Sequence, residues 1–339
     1  MSAITRRRAL SSAIAAAALA LAAAPLPGLR RSLLVAVGSE LEQPLAQLEP
    51  LFERRHPGID LRWEVQGAQD MVNRNLEASS QRPRVLIPSN RDQLRALADA
   101  LAAQAQGPGS PFVAAPRPIA RTLLVAVAWP ERATRLFPDG RFSWPRLRQA
   151  AAAGQWAELG APPAWGSFDL RTTDPLRSNS AQLTLALWTR DQSGPAAVAL
   201  LRRAVYRPAR STDILLREFI SGGRNDGDLA MVYEAAALAR RDEAQRRWPG
   251  GYRLLVPDPT VEMVLAAAVL RGEAAGGSAD GERFVAFLVG PEAQAVFRAA
   301  GFRGPDGRGG SPAGNAVRRL PPPDRAQLDE LLRQWQQAG

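Results

Sequence analysis

The sequence predicts an α/β protein of two lobes, each a mostly parallel sheet flanked by helices. Three observations carry this. The chain has 339 residues and 46% hydrophobic composition, enough for two separate cores. Short apolar runs alternate with helical patterns from residue 33 onward, the arrangement that builds parallel sheets. Between residues 106 and 118 the composition turns to Gly, Pro and Ala, and the alternation then starts afresh. No short internal repeat is visible.

Residues 33–37 form an apolar run suited to a buried strand. Gly38-Ser39 follows, and Ser39 with Glu42 reads as a capping box. Leu41, Leu45, Leu48 and Phe52 fall on one face of a helix that Pro57-Gly58 stops. Ile59, Leu61, Trp63 and Val65 alternate as a second strand, and residues 67–70 lead into another helix. Residues 84–88 give a third strand, with Ser89-Asn90 at the next helix start. A fresh strand spans 121–129. The helix-starting segment "DPLRSNSAQL" occupies 174–183, and "DLAMVYE" occupies 228–234. "YRLLVPDPT" (252–260) is an apolar strand leaving through two prolines. After further apolar and helical runs and a Gly/Pro tract over 304–323, an amphipathic helix closes the chain. Asp324 and Gln327 cap it, with Leu328, Leu331, Leu332 and Trp335 on one face.

The N-terminus reads as an export leader over residues 1–24. It has a basic cluster at Arg6, Arg7 and Arg8, an alanine/leucine core, and Ala22 and Ala24 in an A-x-A arrangement. Thr5-Arg6-Arg7 followed by Leu10 also resembles a twin-arginine signal. The alternative is an uncleaved anchor, since residues 9–26 approach the ~20 apolar residues a membrane span needs.

All 43 basic residues are arginine and the formal charge is +10. Without the leader's three arginines it is roughly +7, scattered among acids with no basic block, so nucleic acid is not an expected partner. The absence of cysteine excludes disulfides, thiolate metal sites and a cysteine nucleophile. The single histidine, His56, sits in a helix-ending turn and reads as a surface residue. Alone, it excludes a multi-histidine metal site or a histidine-based triad. "GGRNDGD" (222–228) lacks the spacing of a calcium loop and reads as a flexible connection. No cofactor is expected. Trp63, Trp129, Trp144, Trp165 and Trp188 could stack on a sugar, but tryptophan is more often core.

One feature recurs. The first three strands are each followed by small polar residues: Gly38-Ser39, Gln69-Asp70 and Ser89-Asn90. In open α/β sheets, ligands bind beyond the carboxyl ends of strands, at helix N-termini. Ser178, Asn179 and Ser180 repeat the pattern after Pro175. A plain helix cap explains each singly, and Asn179 with Gln182 fits a capping-box variant. Together they suit a convergent polar site, because unspent N–H groups and hydroxyls bind anions and polar ligands.

The chain resembles the extracellular solute-binding proteins of ABC-type importers, which have the type II periplasmic binding fold. Residues 48–65, "LEPLFERRHPGIDLRWEV", look like that family's first helix and second strand. "DPLRSNSAQL" is similar to its Asp-Pro-x-x-Ser-Asn-Ser-Gly segment, with Ala181 in place of the glycine. "LAMVYE" and "FVAFLVGPEAQAVFRAAGFR" resemble a later strand and the terminal helix pair. In the latter, Gly290-Pro291-Glu292-Ala293-Gln294 stands for Ser-Pro-Glu-Gly-Gln.

The resemblance implies lobe one over 31–119 and 258–339, lobe two over 120–257, and a solute cleft between them. It implies ligand contacts from Ser39, Ser89, Ser178, Asn179, Ser180, Tyr233 and Glu234. It also implies a periplasmic or extracellular monomer that delivers its solute to an ABC-type membrane permease. Helix N-termini with hydroxyls and a positive net charge favour an oxyanion as solute. The competing class is a ligand sensor, or an enzyme on the same fold using Asp174, Glu234 or Asp226 as carboxylate acid or base.

Overall fold

The computed structural model describes residues 30–66, 71, 82–105, 110–192, 194–205, 207–271 and 277–338. The leader and the expected helix start at 67–70 lie outside these residues.

The first lobe grows from β1 (Arg31–Val37), in which Leu33, Val35, Ala36 and Val37 are buried. The helix α1 (Glu42–Arg55) buries Leu45, Leu48 and Phe52 against it, as the spacing requires. The chain returns as β2 (Ile59–Val65) and then β3 (Val85–Ile87), both parallel to β1, so that Val35 faces Trp63 on one side and Val85 on the other. α2 (Arg91–Ala105) follows. The Asn90 side chain accepts from the Asp92 amide at its start.

β4 (Arg117–Ala128) then runs into the second lobe. There α3 (Pro130–Leu136), α4 (Trp144–Ala153), β5 (Leu170–Arg171), α5 (Asn179–Thr189), α6 (Pro195–Ala204) and α7 (Thr212–Gly222) precede β6 (Leu229–Tyr233). α8 (Glu234–Ala239), α9 (Arg241–Arg247) and β7 (Arg253–Leu255) complete it. β8 (Thr260–Val269) runs back, followed by α10 (Gly277–Leu288), α11 (Pro291–Ala299), α12 (Pro312–Asn315), β9 (Arg319–Leu320) and α13 (Arg325–Gln337).

The strands form one curled path, β2-β1-β3-β8-β4-β6-β5, with β7 on β4 and β9 on β8. Its parallel character is narrower than expected. β1, β2 and β3 are parallel, as are β5 with β6 and β8 with β9, but β8 is antiparallel to β3, and β4 to β6, β7 and β8. The reason is topological. Two long strands carry the chain between lobes in opposite directions and pair with each other on the way.

The two crossings also divide the cores. Ile119 and Ala120 of β4 pack with β1, α1 and α11, while Leu124, Ala126 and Ala128 pack with α4, α5 and β6. In β8, Leu265 and Ala267 belong to the first core, and Val261 and Met263 to the second. The assignment of all of 258–339 to the first lobe does not match this packing. α13 lies on α5 and α6, with Trp335 buried in the second core. Its amphipathic face needed an apolar partner, and the α5–α6 surface supplies it.

Local structure departs from the sequence in three further places. Residues Ser39–Leu41 form a short 3-10 turn with no side-chain cap, so Ser39 and Glu42 make no capping box. The Asp324–Gln327 box does form, both halves included. Residues 222–228 are a tightly held turn rather than a flexible connection. Asp228 is buried, accepting from Trp156 Nε1 at 2.9 Å and from the Asp169 amide at 2.8 Å, with Arg132 Nε 2.7 Å away. His56 is half-buried, its ring 4.7 Å from that of Phe52, instead of standing free at the surface.

Candidate functional site

A cleft of about 520 Å³ opens between the lobes. Its walls are the carboxyl ends of strands and the helix starts that follow them, where an α/β sheet exposes unspent polar groups. The first lobe supplies Ser39 and Glu40 after β1, Val65 and Gln66 at the end of β2, and Ser89 after β3. From the second lobe come Leu176, Arg177, Ser178 and Asn179 at the start of α5. Arg210, Ser211 and Thr212 at the start of α7 join them, with Tyr233 at the end of β6.

The structure therefore brings together Ser39, Ser89, Ser178, Asn179 and Tyr233 from the sequence-derived set. Their roles differ. Asn179 is buried and its Nδ2 donates to the Tyr233 hydroxyl at 3.0 Å, so it fixes that ring across the cleft floor. Burial, and then the charge of Glu40, push the Tyr233 phenol pKa upward, and its own proton stays available to donate. Ser178 is half-exposed and caps no amide with its side chain. The proposed Asn179–Gln182 box is absent. Gln182 Nε2 reaches back to the Pro175 carbonyl at 2.9 Å and pins the turn instead.

Two expected residues sit elsewhere. Ser180 is fully buried beneath the cleft and does not line it. Its hydroxyl joins those of Thr173 and Thr212, each at 2.8 Å, and that of Ser178 at 3.2 Å. Glu234 is also fully buried and outside the lining, gripped by Arg303 and Ser311. Each lies one position along the chain from a lining residue, Asn179 or Tyr233, and that step turns its side chain away from the opening.

Glu40, Gln66, Arg177, Arg210, Ser211 and Thr212 were missed. Glu40 directly follows the Gly38-Ser39 signal. Ser211-Thr212 repeats the same small-polar helix start, with Ser211 Oγ accepting from the Ile214 amide. Gln66 and the two arginines carried no local signal.

The electrostatics are divided by lobe. On the first, burial raises the Glu40 carboxyl pKa, opposed by its own amide and by a hydrogen bond from Ser89. Its Oε1 is enclosed without a partner. Gln66 commits its Nε2 to Glu64, which leaves Gln66 Oε1 buried and unpartnered as well. On the second lobe, Arg177 and Arg210 are exposed and form no ion pair among the described residues. The cleft thus pairs a wall of acceptors with a wall of donors.

The carboxylates considered for catalysis do not gather there. Asp174 Oδ1 accepts from the Leu176 amide in a turn, Asp226 lies 3.6 Å from Arg171 at a separate cavity, and Glu234 is held as above. None of the five tryptophans considered for sugar stacking lines the cleft. Trp129 stacks on Phe219 at 4.6 Å, for example, and Trp63 borders a neighbouring cavity of about 370 Å³. Among the described residues no cluster of acidic, histidine or cysteine side chains is arranged for a metal ion, and no helix is long and apolar enough to cross a membrane.

Solved structures share this architecture. A periplasmic thiamin binding protein superposes with a TM-score of 0.68 at 15% identity, covering 92% of this chain and 97% of that one. The substrate binding protein of an ABC transporter from Agrobacterium tumefaciens gives 0.67 at 18% identity, covering 93% and 96%. The sulfate-binding protein SubI from Mycobacterium tuberculosis H37Rv gives 0.59 at 16% identity, covering 88% and 96%. At these identities the likeness is one of fold, the two-lobed fold of periplasmic binding proteins. No curated protein matches the chain. The bacterial extracellular solute-binding protein family matches residues 33–303, and the chain belongs to that family.

Proposed function

We propose that the protein captures a small polar solute bearing an oxyanionic group in the interlobe cleft and delivers it to an ABC-type membrane permease. In this reading it acts outside the cytoplasmic membrane, as a monomer, with lobes that close over the solute about the β4 and β8 crossings. It converts nothing.

The observation that carries the anionic preference is the pair Arg177 and Arg210, both lining the cleft and neither matched by an acid among the described residues. The hydroxyls of Ser178 and Ser211 stand beside them at the starts of α5 and α7, where backbone N–H groups add positive potential. Arginine suits carboxylate, sulfate and phosphate groups because its fork of donors matches their oxygens.

A thermal-shift screen of the mature protein against sulfate, phosphate, molybdate, organic phosphates, amino acids and sugars tests this. Ligands with an oxyanionic group should raise the melting temperature, and Arg177→Ser with Arg210→Ser should abolish the rise. A response confined to neutral sugars, or unchanged in the double variant, would sink the proposal.

A further inference from the structure

The donor wall accounts for one end of a solute, and the opposite wall asks for something else. Glu40 Oε1 and Gln66 Oε1 are enclosed acceptors with no protein donor, and the residues that carry them line the cleft. Buried acceptors left unmatched are costly, and donors arriving with a solute would satisfy them. Glu40 is also held in place on purpose of packing. An added Cβ at Gly38 would lie 2.6 Å from both Glu40 Oε1 and Ser89 Oγ, so the backbone there leaves room only for that carboxylate and hydroxyl.

An inorganic oxyanion fits this wall badly. It brings no donors when fully ionised, and its charge would meet that of Glu40. The cleft also has an apolar component. Val65 and Leu176 are the exposed large hydrophobic residues among those described, at 42% and 41%, and each lines the cleft from a different lobe.

Resting on the anion-binding reading above, we infer that the solute is an organic zwitterion. Its protonated amine contacts Glu40 and Gln66, its oxyanionic group meets Arg177 and Arg210, and a short hydrocarbon segment between them lies against Val65 and Leu176. Glu40 is then the residue that selects organic zwitterions over inorganic anions. The volume, about 520 Å³, accepts such a molecule with room for bound water.

Matched probes separate the two ends. Calorimetry would compare 2-aminoethylphosphonate with ethylphosphonate and inorganic phosphate, and 4-aminobutyrate with butyrate. In at least one pair the amine-bearing probe should bind about tenfold tighter or more, as a charge-assisted hydrogen bond implies. Glu40→Gln should erase most of that preference while the amine-free probes keep their affinity. Circular dichroism melts confirm that the variant is folded.

Equal binding within both pairs, a preference that survives Glu40→Gln, or silence from both zwitterions overturns the inference. Inorganic phosphate bound tightly through Arg177 and Arg210, with no contribution from Glu40, also overturns it and leaves the anion cleft standing. Binding of any probe that ignores the two arginines strikes the underlying reading instead.

Discussion

Glu234 and Arg303 form a bidentate ion pair in which neither side chain is exposed. Arg303 Nε donates to Glu234 Oε2 at 2.7 Å, and Nη2 to Oε1 at 2.8 Å. The amide of Ser311 adds a further donor to Oε1 at 2.9 Å. The same arginine exchanges two backbone hydrogen bonds with Arg121, each 2.9 Å, inside the β4 crossing. The pair therefore bolts the start of α8 and the 303–311 segment to a strand shared by both lobes. A glutamate that sequence placed among the ligand contacts is instead part of the frame.

The first prediction follows from this burial. Removing one partner leaves a desolvated charge without a counter-ion, which costs about 3–5 kcal/mol. Glu234→Gln and Arg303→Met should each lower stability by that order in denaturant melts. Variants that remain folded at low temperature should keep the solute affinity of the parent. A normal melt with lost affinity would put Glu234 back in the cleft.

A second prediction separates two serines two positions apart. Ser180 is sealed within a network of hydroxyls, so Ser180→Ala should cost about 1–2 kcal/mol of stability and change affinity little. Ser178 lines the cleft with its hydroxyl half-exposed. Ser178→Ala should weaken solute binding about 5–30-fold, with a smaller effect on stability. Calorimetry beside urea melts distinguishes them, and the opposite pattern would reverse their roles.

How far the fold and the site could be read follows from the range of the signals. Period and capping chemistry are local, which is why β1, α1, β2 and the Asp324–Gln327 box were legible. The Gly38-Ser39, Ser89 and Ser178-Asn179 signals marked strand ends and helix starts, and the cleft lies at those points. The antiparallel pairing of β4 with β8 depends on residues 117–123 meeting 262–267, which no window of sequence displays. The packing of Trp335 beside α5 and α6 has the same long range. Within the site, neighbours such as Ser178 and Ser180 share composition and differ only in the direction of the side chain. Glu234 was misplaced because its partner, Arg303, lies 69 residues away.

The third prediction concerns Gly38. Alanine there would place its Cβ 2.6 Å from Glu40 Oε1 and from Ser89 Oγ. Both groups must give way, at a cost of about 1–3 kcal/mol for the overpacking. Gly38→Ala should also shift the Glu40 carboxylate and lower affinity for solutes that contact it. Wild-type affinity and stability together would show that the backbone does not press on Glu40.

The fourth uses pH. Burial raises the Glu40 pKa in the folded protein, so ionising it opposes folding. Its contribution is fully present below the ordinary carboxyl pKa and is lost as pH rises through the folded value. Glutamine avoids that loss. Ligand-free Glu40→Gln should therefore be more stable than wild type at neutral pH, and the difference should shrink toward about pH 4. Urea midpoints across that range provide the check. A difference that stays constant would mean that Glu40 ionises freely.

The last prediction concerns closure. The cleft draws its donors from one lobe and its acceptors from the other, so a solute gains full contact only when both walls approach. The structure has the walls together, with the Ser39–Leu41 turn packed against α7. What joins the lobes is β4 and β8, paired from Arg117 opposite Ala267 to Leu123 opposite Glu262, with Arg303 bridging Arg121 beside them and the segment from Arg303 to Leu320 carrying the chain back toward α13. Twisting or bending at that pair separates the lobes while each core stays intact, which is hinge motion rather than unfolding. Without solute, the enclosed Glu40 and Gln66 acceptors gain water by opening. We therefore expect small-angle scattering to give a larger radius of gyration for the ligand-free protein than for the saturated one. The saturated curve should match that calculated from this structure. Coincident curves with a ligand verified by calorimetry would mean that the lobes are fixed, and that solute enters a preformed cleft.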